Sequence, residues 1–156
     1  MKTRKLFTPT LSSALLLAAL LLALLLASAG SSPAQARQPL EPAADWCGAI
    51  TANTTWAAAD NPHIVTCDVT VNSGVTLTIE PGAVVKFSSW TYDLWVNGTL
   101  IADGTELAPI TFTSINDNSV GGSTGTGSPA GGDWSSLRFN AASFGSILDY
   151  AVVRYG

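Results

Sequence analysis

The sequence predicts an all-β fold in which short strands stack as a β-solenoid. From Ile64 onward, runs of β-branched and apolar residues alternate with Gly, Pro, Asn and Asp, which is the pattern of strands separated by turns. Part of this pattern recurs at one spacing. Val-Asn-Ser-Gly at 71–74 returns as Val-Asn-Gly-Thr at 96–99, and Val-Lys-Phe at 85–87 returns as Ile-Thr-Phe at 110–112. A constant spacing indicates that each repeat packs on the next one.

The individual strands are short and follow one another closely. Seven are expected, at residues 64–71, 75–79, 83–87, 94–96, 100–102, 110–113 and 137–139. No window after residue 36 has a helical period. The part of the chain that follows is therefore predicted to be one β domain.

The first 36 residues have the three parts of a secretory signal peptide. Three basic residues lie within residues 2–5, a run of 14 Ala and Leu residues spans 14–27, and a small-x-small signal ends at Ala36. A membrane anchor is the alternative, but a spanning helix needs about 20 apolar residues. We expect cleavage after Ala36, then a proline-containing linker at 37–45. The protein is predicted to be secreted or displayed on the cell surface, with no membrane span after cleavage.

The charge of the predicted mature chain excludes some partners. Residues 37–156 keep four basic and all eleven acidic residues, so the formal charge changes from −4 to −7. Nucleic acid and anionic lipid need basic surfaces, and neither is expected to bind.

Two cysteines, Cys47 and Cys67, lie early in the mature chain. In an oxidising compartment such a pair most simply forms a disulfide, which contributes about 3 kcal/mol in the chain-entropy model. Two free thiols are the alternative. The only histidine, His63, follows Pro62 and is interpreted as a turn residue.

Several segments carry a family resemblance. They are residues 69–87 with Thr-Ile-Glu-Pro-Gly at 78–82, residues 94–105, 109–114 and 132–134, and the segment 147–156. Together they resemble bacterial right-handed parallel β-helix proteins of the pectin-lyase-like superfamily. The resemblance implies an N-terminal cap at 46–66, containing the disulfide, and about three first coils at 67–156. Because such proteins repeat the last motif many times and solenoids need protected ends, we expect an N-terminal fragment of a longer, truncated β-helix.

A long Gly-, Ser- and Thr-rich loop at 116–132 contains weak candidates for a metal site. Asn116, Asp117 and Asn118 open the loop and Asp133 follows it, and calcium binds such oxygens on tight turns. The EF-hand pattern is not met, and a solvated insertion between strands is the simpler interpretation. No other cofactor is expected.

No catalytic constellation stands out in this chain. The resemblance implies that lyases of the superfamily use clustered carboxylates, calcium and a basic residue. Asp149 and Arg154 are the only candidates on the last segment, and their odd separation places them on opposite strand faces. We expect Arg154 to be an exposed strand residue beside inward-facing Ala151, Val153 and Tyr155.

Aromatic residues in the segment 90–95 suggest a sugar contact. Trp90 and Tyr92 lie in a connection, where flat rings with polar edges could stack on a glycan, whereas Trp95 alternates with its strand and is expected to pack inside. The leading hypothesis is a secreted or cell-surface scaffold that binds polysaccharide or a surface glycan. The alternative is a polysaccharide lyase or hydrolase whose active site lies in further C-terminal coils.

Overall fold

The computed structural model describes residues 44–156, so the predicted signal peptide, its cleavage site and residues 37–43 of the linker lie outside the described residues. The described chain contains eleven short strands and one 3-10 turn, Ala58–Asp60, which confirms the all-β prediction. The strands are β1 Ala44–Ile50, β2 Thr54–Trp56, β3 His63–Val71, β4 Thr76–Ile79, β5 Val84–Phe87, β6 Asp93–Val96, β7 Thr99–Asp103, β8 Ile110–Ser114, β9 Ser136–Phe139, β10 Ile147–Asp149 and β11 Ala151–Val153. Residues 44 and 45, predicted as the end of the linker, belong to β1.

The strands form two sheets in which every pair between described strands is parallel. One sheet has the order β11-β8-β5-β3-β6-β9, with β1 also paired to β3, and the other has the order β10-β7-β4-β2. The long strand β3 connects two parts of the first sheet, because its start pairs with β5 and its end pairs with β6. The first sheet therefore curls around the interior.

The strand register agrees with one of the two predicted repeats and corrects the other. Val71 pairs with Val96, as the repeat predicts. Val85 pairs with Phe112 and not with Ile110, two residues earlier. Two changes cause this offset. The turn 97–98 is two residues shorter than the turn 72–75, so Ile79 pairs with Ala102, and the step from Ala102 to Phe112 is then four residues longer than the step from Ile79 to Val85.

The core lies between the sheets and is built from like residues on neighbouring strands. Leu77 pairs with Leu100 across β4 and β7, and both side chains are fully buried. Trp134 lies outside the strands but also packs in the core, where its ring stacks on Phe87 with centroids 4.2 Å apart. Burying such side chains is the main source of stability in a fold of short strands.

The amino-terminal end of the described chain is tied together covalently and by stacked rings. The disulfide between Cys47 and Cys67 is present, with Cα atoms 4.9 Å apart. Next to it, the buried Trp56 ring stacks on His63 with centroids 5.4 Å apart, and the Trp46 ring lies 5.0 Å from Trp56. These contacts fix β1 and β2 on β3 and β4.

The interpretation of His63 as a turn residue is wrong. His63 is the first residue of β3 and is 1 % exposed. Trp46 Nε1 donates to His63 Nδ1 at 3.1 Å, so the ring carries its proton on Nε2, which donates to the Ala57 carbonyl at 2.8 Å. Burial lowers the pKa of His63, and this keeps the ring neutral.

The last three strands differ from the others in burial. Ala151 and Tyr155 pack against the core as predicted, but Val153 is 49 % exposed, so the prediction that it faces inward is wrong.

No helix within residues 44–156 is long and apolar enough to cross a membrane.

Candidate functional site

The segment at 116–132 connects β8 to β9 and is held on the sheet by a buried lysine. Lys86, on β5, is fully buried, and its ammonium group donates to the carbonyl oxygens of Asp117 at 3.0 Å and Gly122 at 2.8 Å and to Thr124 Oγ1 at 2.8 Å. A buried ammonium needs an acceptor for each of its three N–H groups, and the loop supplies them. Burial lowers the pKa of Lys86, against the opposing effect of the Asp117 carboxylate. Sequence analysis treated Lys86 only as part of a repeat.

An ion pair also joins this loop to the segment that follows β11. The Asp117 carboxylate is 2 % exposed, accepts a hydrogen bond from Thr113 Oγ1 at 2.7 Å and forms an ion pair with Arg154 at 2.6 Å. Burial would raise the pKa of Asp117, but hydrogen bonds from Ser119 and Thr113 and the charge of Arg154 outweigh it, so the pKa lies below its usual value. The expectation that Arg154 is an exposed strand residue is wrong. It follows β11 and has a carboxylate partner.

The side-chain oxygens of the four weak calcium candidates accept hydrogen bonds from the protein's own donors. Asn116 Oδ1 accepts from the Gly127 amide at 3.1 Å, and Asn118 Oδ1 accepts from the Thr124 amide at 2.9 Å. The Asp117 carboxylate accepts a hydrogen bond from Thr113 and pairs with Arg154. Within residues 44–156 no group of three or more His, Cys, Asp and Glu side chains is placed to hold a metal ion. These oxygens organise the loop through its own donors.

A groove opens where the strands β5 and β8 end. Because these strands are parallel neighbours, with Phe87 paired to Ser114, the turns that follow them lie side by side. The groove has a volume of about 410 Å³ and is mostly polar; its walls are Ser88, Ser89, Trp90, Ser114, Ile115, Asn116, Gly132 and Asp133. Two of the calcium candidates and one glycan candidate therefore meet here, although sequence analysis assigned them to different roles.

The side chains of the groove combine one apolar surface with polar groups. Trp90 lines the groove and is 72 % exposed. Asp133 Oδ2 accepts hydrogen bonds from Ser114 Oγ at 2.6 Å and the Ala130 amide at 3.1 Å. The Ser114 hydrogen bond, foremost, holds the pKa of Asp133 below its usual value, so the groove contains an ionised carboxylate at neutral pH.

The other two aromatic candidates have different roles. Tyr92 is partly buried and packs against the core, so its ring is not a free platform. Trp95 was expected to pack inside, and that prediction is wrong. Its neighbours Leu94 and Val96 are fully buried, while Trp95 faces outward, is 38 % exposed and has the Arg138 guanidinium 4.8 Å from its ring centre. Arg138 is itself paired with Asp93 at 3.0 Å.

No protein-family model, curated protein or solved structure matches the chain. What the molecule does must therefore be argued from its own residues.

Proposed function

We propose that this chain is an extracytoplasmic binding scaffold, built as a right-handed parallel β-helix, and that the groove beside Trp90 binds an uncharged polysaccharide. Parallel pairing throughout the described strands and the Val71–Val96 register support a stack of coils. Right-handed crossovers are the rule when parallel strands of one sheet are joined. The disulfide and the leader-like first 36 residues support secretion or display on the cell surface.

One observation carries the assignment of a glycan as ligand. The Trp90 indole is largely exposed beside a polar groove, where it has no packing role to explain it. A flat ring offers a surface for the apolar face of a sugar, and nearby hydroxyl, amide and carboxylate groups can bond the sugar hydroxyls. Asp133, which accepts from Ser114 and the Ala130 amide through Oδ2, lines this groove and would accept a hydrogen bond from a sugar hydroxyl.

The charge of the groove determines whether a neutral or an acidic glycan is the favoured ligand. Asp133 is ionised, and the segment 88–90 and the stretch 114–116 bring no cation to the groove. A uronate polymer would place its carboxylates near this charge and be repelled. Neutral sugars bring hydroxyl donors instead, so a neutral polysaccharide is the favoured ligand.

The test is affinity electrophoresis of the exported chain through gels that contain neutral polysaccharides, with polygalacturonate as the acidic comparison. We expect retardation by at least one neutral polymer and none by polygalacturonate. Trp90→Ala should weaken binding about tenfold, equivalent to about 1.4 kcal/mol. Asp133→Asn should also weaken it.

Trp95→Ala is the matched control, because it removes another exposed indole that lies on the outer face of β6. It should leave retardation unchanged. If no neutral polymer retards the chain, or if both tryptophan variants lose binding equally, the groove is not the glycan site.

A further inference from the structure

One hydrogen bond at the start of the described chain depends on the protonation state of His63. The imidazole is 1 % exposed, and Trp46 Nε1 donates to its Nδ1 at 3.1 Å. An indole N–H can only donate, so this bond requires an Nδ1 without a proton. The other ring nitrogen donates to the Ala57 carbonyl at 2.8 Å. A second proton on the ring would therefore set two N–H donors against each other.

Trp46 belongs to the first half of β1, which makes its own contacts. β1 pairs with β3 in two stretches, 44–46 with 63–65 and 48–50 with 69–71, and the register shifts between them. We call residues 44–46 the strap. Its contacts include the hydrogen bond to His63 and the Trp46 ring, whose centroid lies 5.0 Å from that of Trp56. Protonation of His63 would weaken the strap without disturbing the second pairing.

The shift in register gives the strap a point about which it can turn. The disulfide fixes Cys47 to Cys67 on β3, so the chain stays attached there when the strap leaves. Gly48, the next residue, has a φ of +85°, which glycine adopts without strain. A hollow of about 290 Å³, bordered by Trp46, Gly48 and Thr54, lies beside this part of β1. The strap therefore has a fixed attachment and free space next to it.

The charges near His63 oppose the effect of its burial but do not cancel it. Burial, foremost, lowers the pKa of the imidazole, whereas its hydrogen bond to a backbone carbonyl and the charges of Asp60 and Glu80 raise it. Asp45, on the strap itself, is exposed, and Lys86, on β5, directs its ammonium group to the loop that follows β8. The ring is thus neutral under a closed strap, and in water it would regain the ordinary histidine pKa of 6.5.

We propose that the strap is a pH-sensitive device, closed over His63 at neutral pH and released from β3 when the ring gains a second proton. The released strap no longer covers Trp56, while Cys47 and the second half of β1 stay in place. Because the open state binds a proton that the closed state excludes, each pH unit below about 6.5 favours opening by a further factor of about ten, until the ring can also be protonated in the closed state. The device does not depend on glycan binding.

Nuclear magnetic resonance of the exported full chain tests the device from about pH 8 to about pH 4.5. His63 is the only histidine, so its ring gives one titration curve. We expect the indole N–H resonance of Trp46 and the amide resonances of 44–46 to change along that curve, with a common midpoint below about 6.5. The amide resonances of 48–50 and of β4 should stay constant.

His63→Gln is the matched variant, because its amide can accept from Trp46 and donate to the Ala57 carbonyl but does not titrate. Its strap resonances should stay constant over the same pH range. The proposal is overturned if the ring of the unchanged chain stays neutral at the lowest pH, if it titrates while the strap resonances stay constant, or if 48–50 move together with the strap. Equal opening of the strap in His63→Gln would also overturn it. Should that variant not fold, the unchanged chain still decides the question through the first three results.

Discussion

The two ends of this strand stack are built from similar strands but are protected very differently. At the amino-terminal end, Trp56 and His63 are buried and stacked, and the disulfide ties β1 to β3. At the other end, Phe144 and Val153 face solvent, and β9 to β11, like β1 and β2, pair on one side only. The difference between the two ends therefore comes from the buried rings and the disulfide and not from strand pairing.

This difference predicts an uneven distribution of stability. Regions with many buried apolar contacts open only with the whole domain, whereas regions with exposed backbone and few contacts open locally. The first end should belong to the most stable unit of the described chain, and β9 to β11 should belong to the least stable unit.

The largest expected effect is the loss of a buried ring at the amino-terminal end. Trp56→Ala should lower the free energy of unfolding by about 3–5 kcal/mol, because the fully buried side chain leaves a cavity. Phe144→Ala, the comparison at the other end, should change it by no more than about 0.5 kcal/mol. Urea titrations measure both. Equal losses would show that the two ends do not differ as described.

A smaller effect is expected from the disulfide. Replacing Cys47 and Cys67 together by serine should lower the free energy of unfolding by about 3 kcal/mol, since the bridge closes a loop with a sequence separation of 20 residues. The unchanged chain, titrated with and without reductant, serves as the control. A loss below about 1 kcal/mol would mean that strand pairing holds this end without the bridge.

Much of the strand order followed from the sequence, because turn residues and alternating apolar residues are local signals. The Val71–Val96 register was predictable since both strands end in Val-Asn with a glycine close behind. The offset between Val85 and Phe112 was not, because it depends on the length of a connection that has no repeat signal. The outward orientation of Trp95 was missed since all three residues of Leu-Trp-Val at 94–96 are apolar, and alternation does not say which face is buried.

The site was predictable only in part. Trp90 and Asp133 were predicted to have separate roles, and only the parallel pairing of β5 with β8 brings them to one groove. The burial of Lys86 and the pairing of Arg154 depend on Asp117, which is 31 residues from the lysine in the chain. Contacts over such separations leave no local pattern in a single sequence.

Hydrogen exchange tests the contrast between these regions most directly. Amides of β9, β10 and β11 should exchange much faster than those of β3, β4 and β5, because within residues 44–156 one edge of each of these strands is unpaired and their side chains are exposed. Equal protection of both sets of strands would contradict the difference in stability described above.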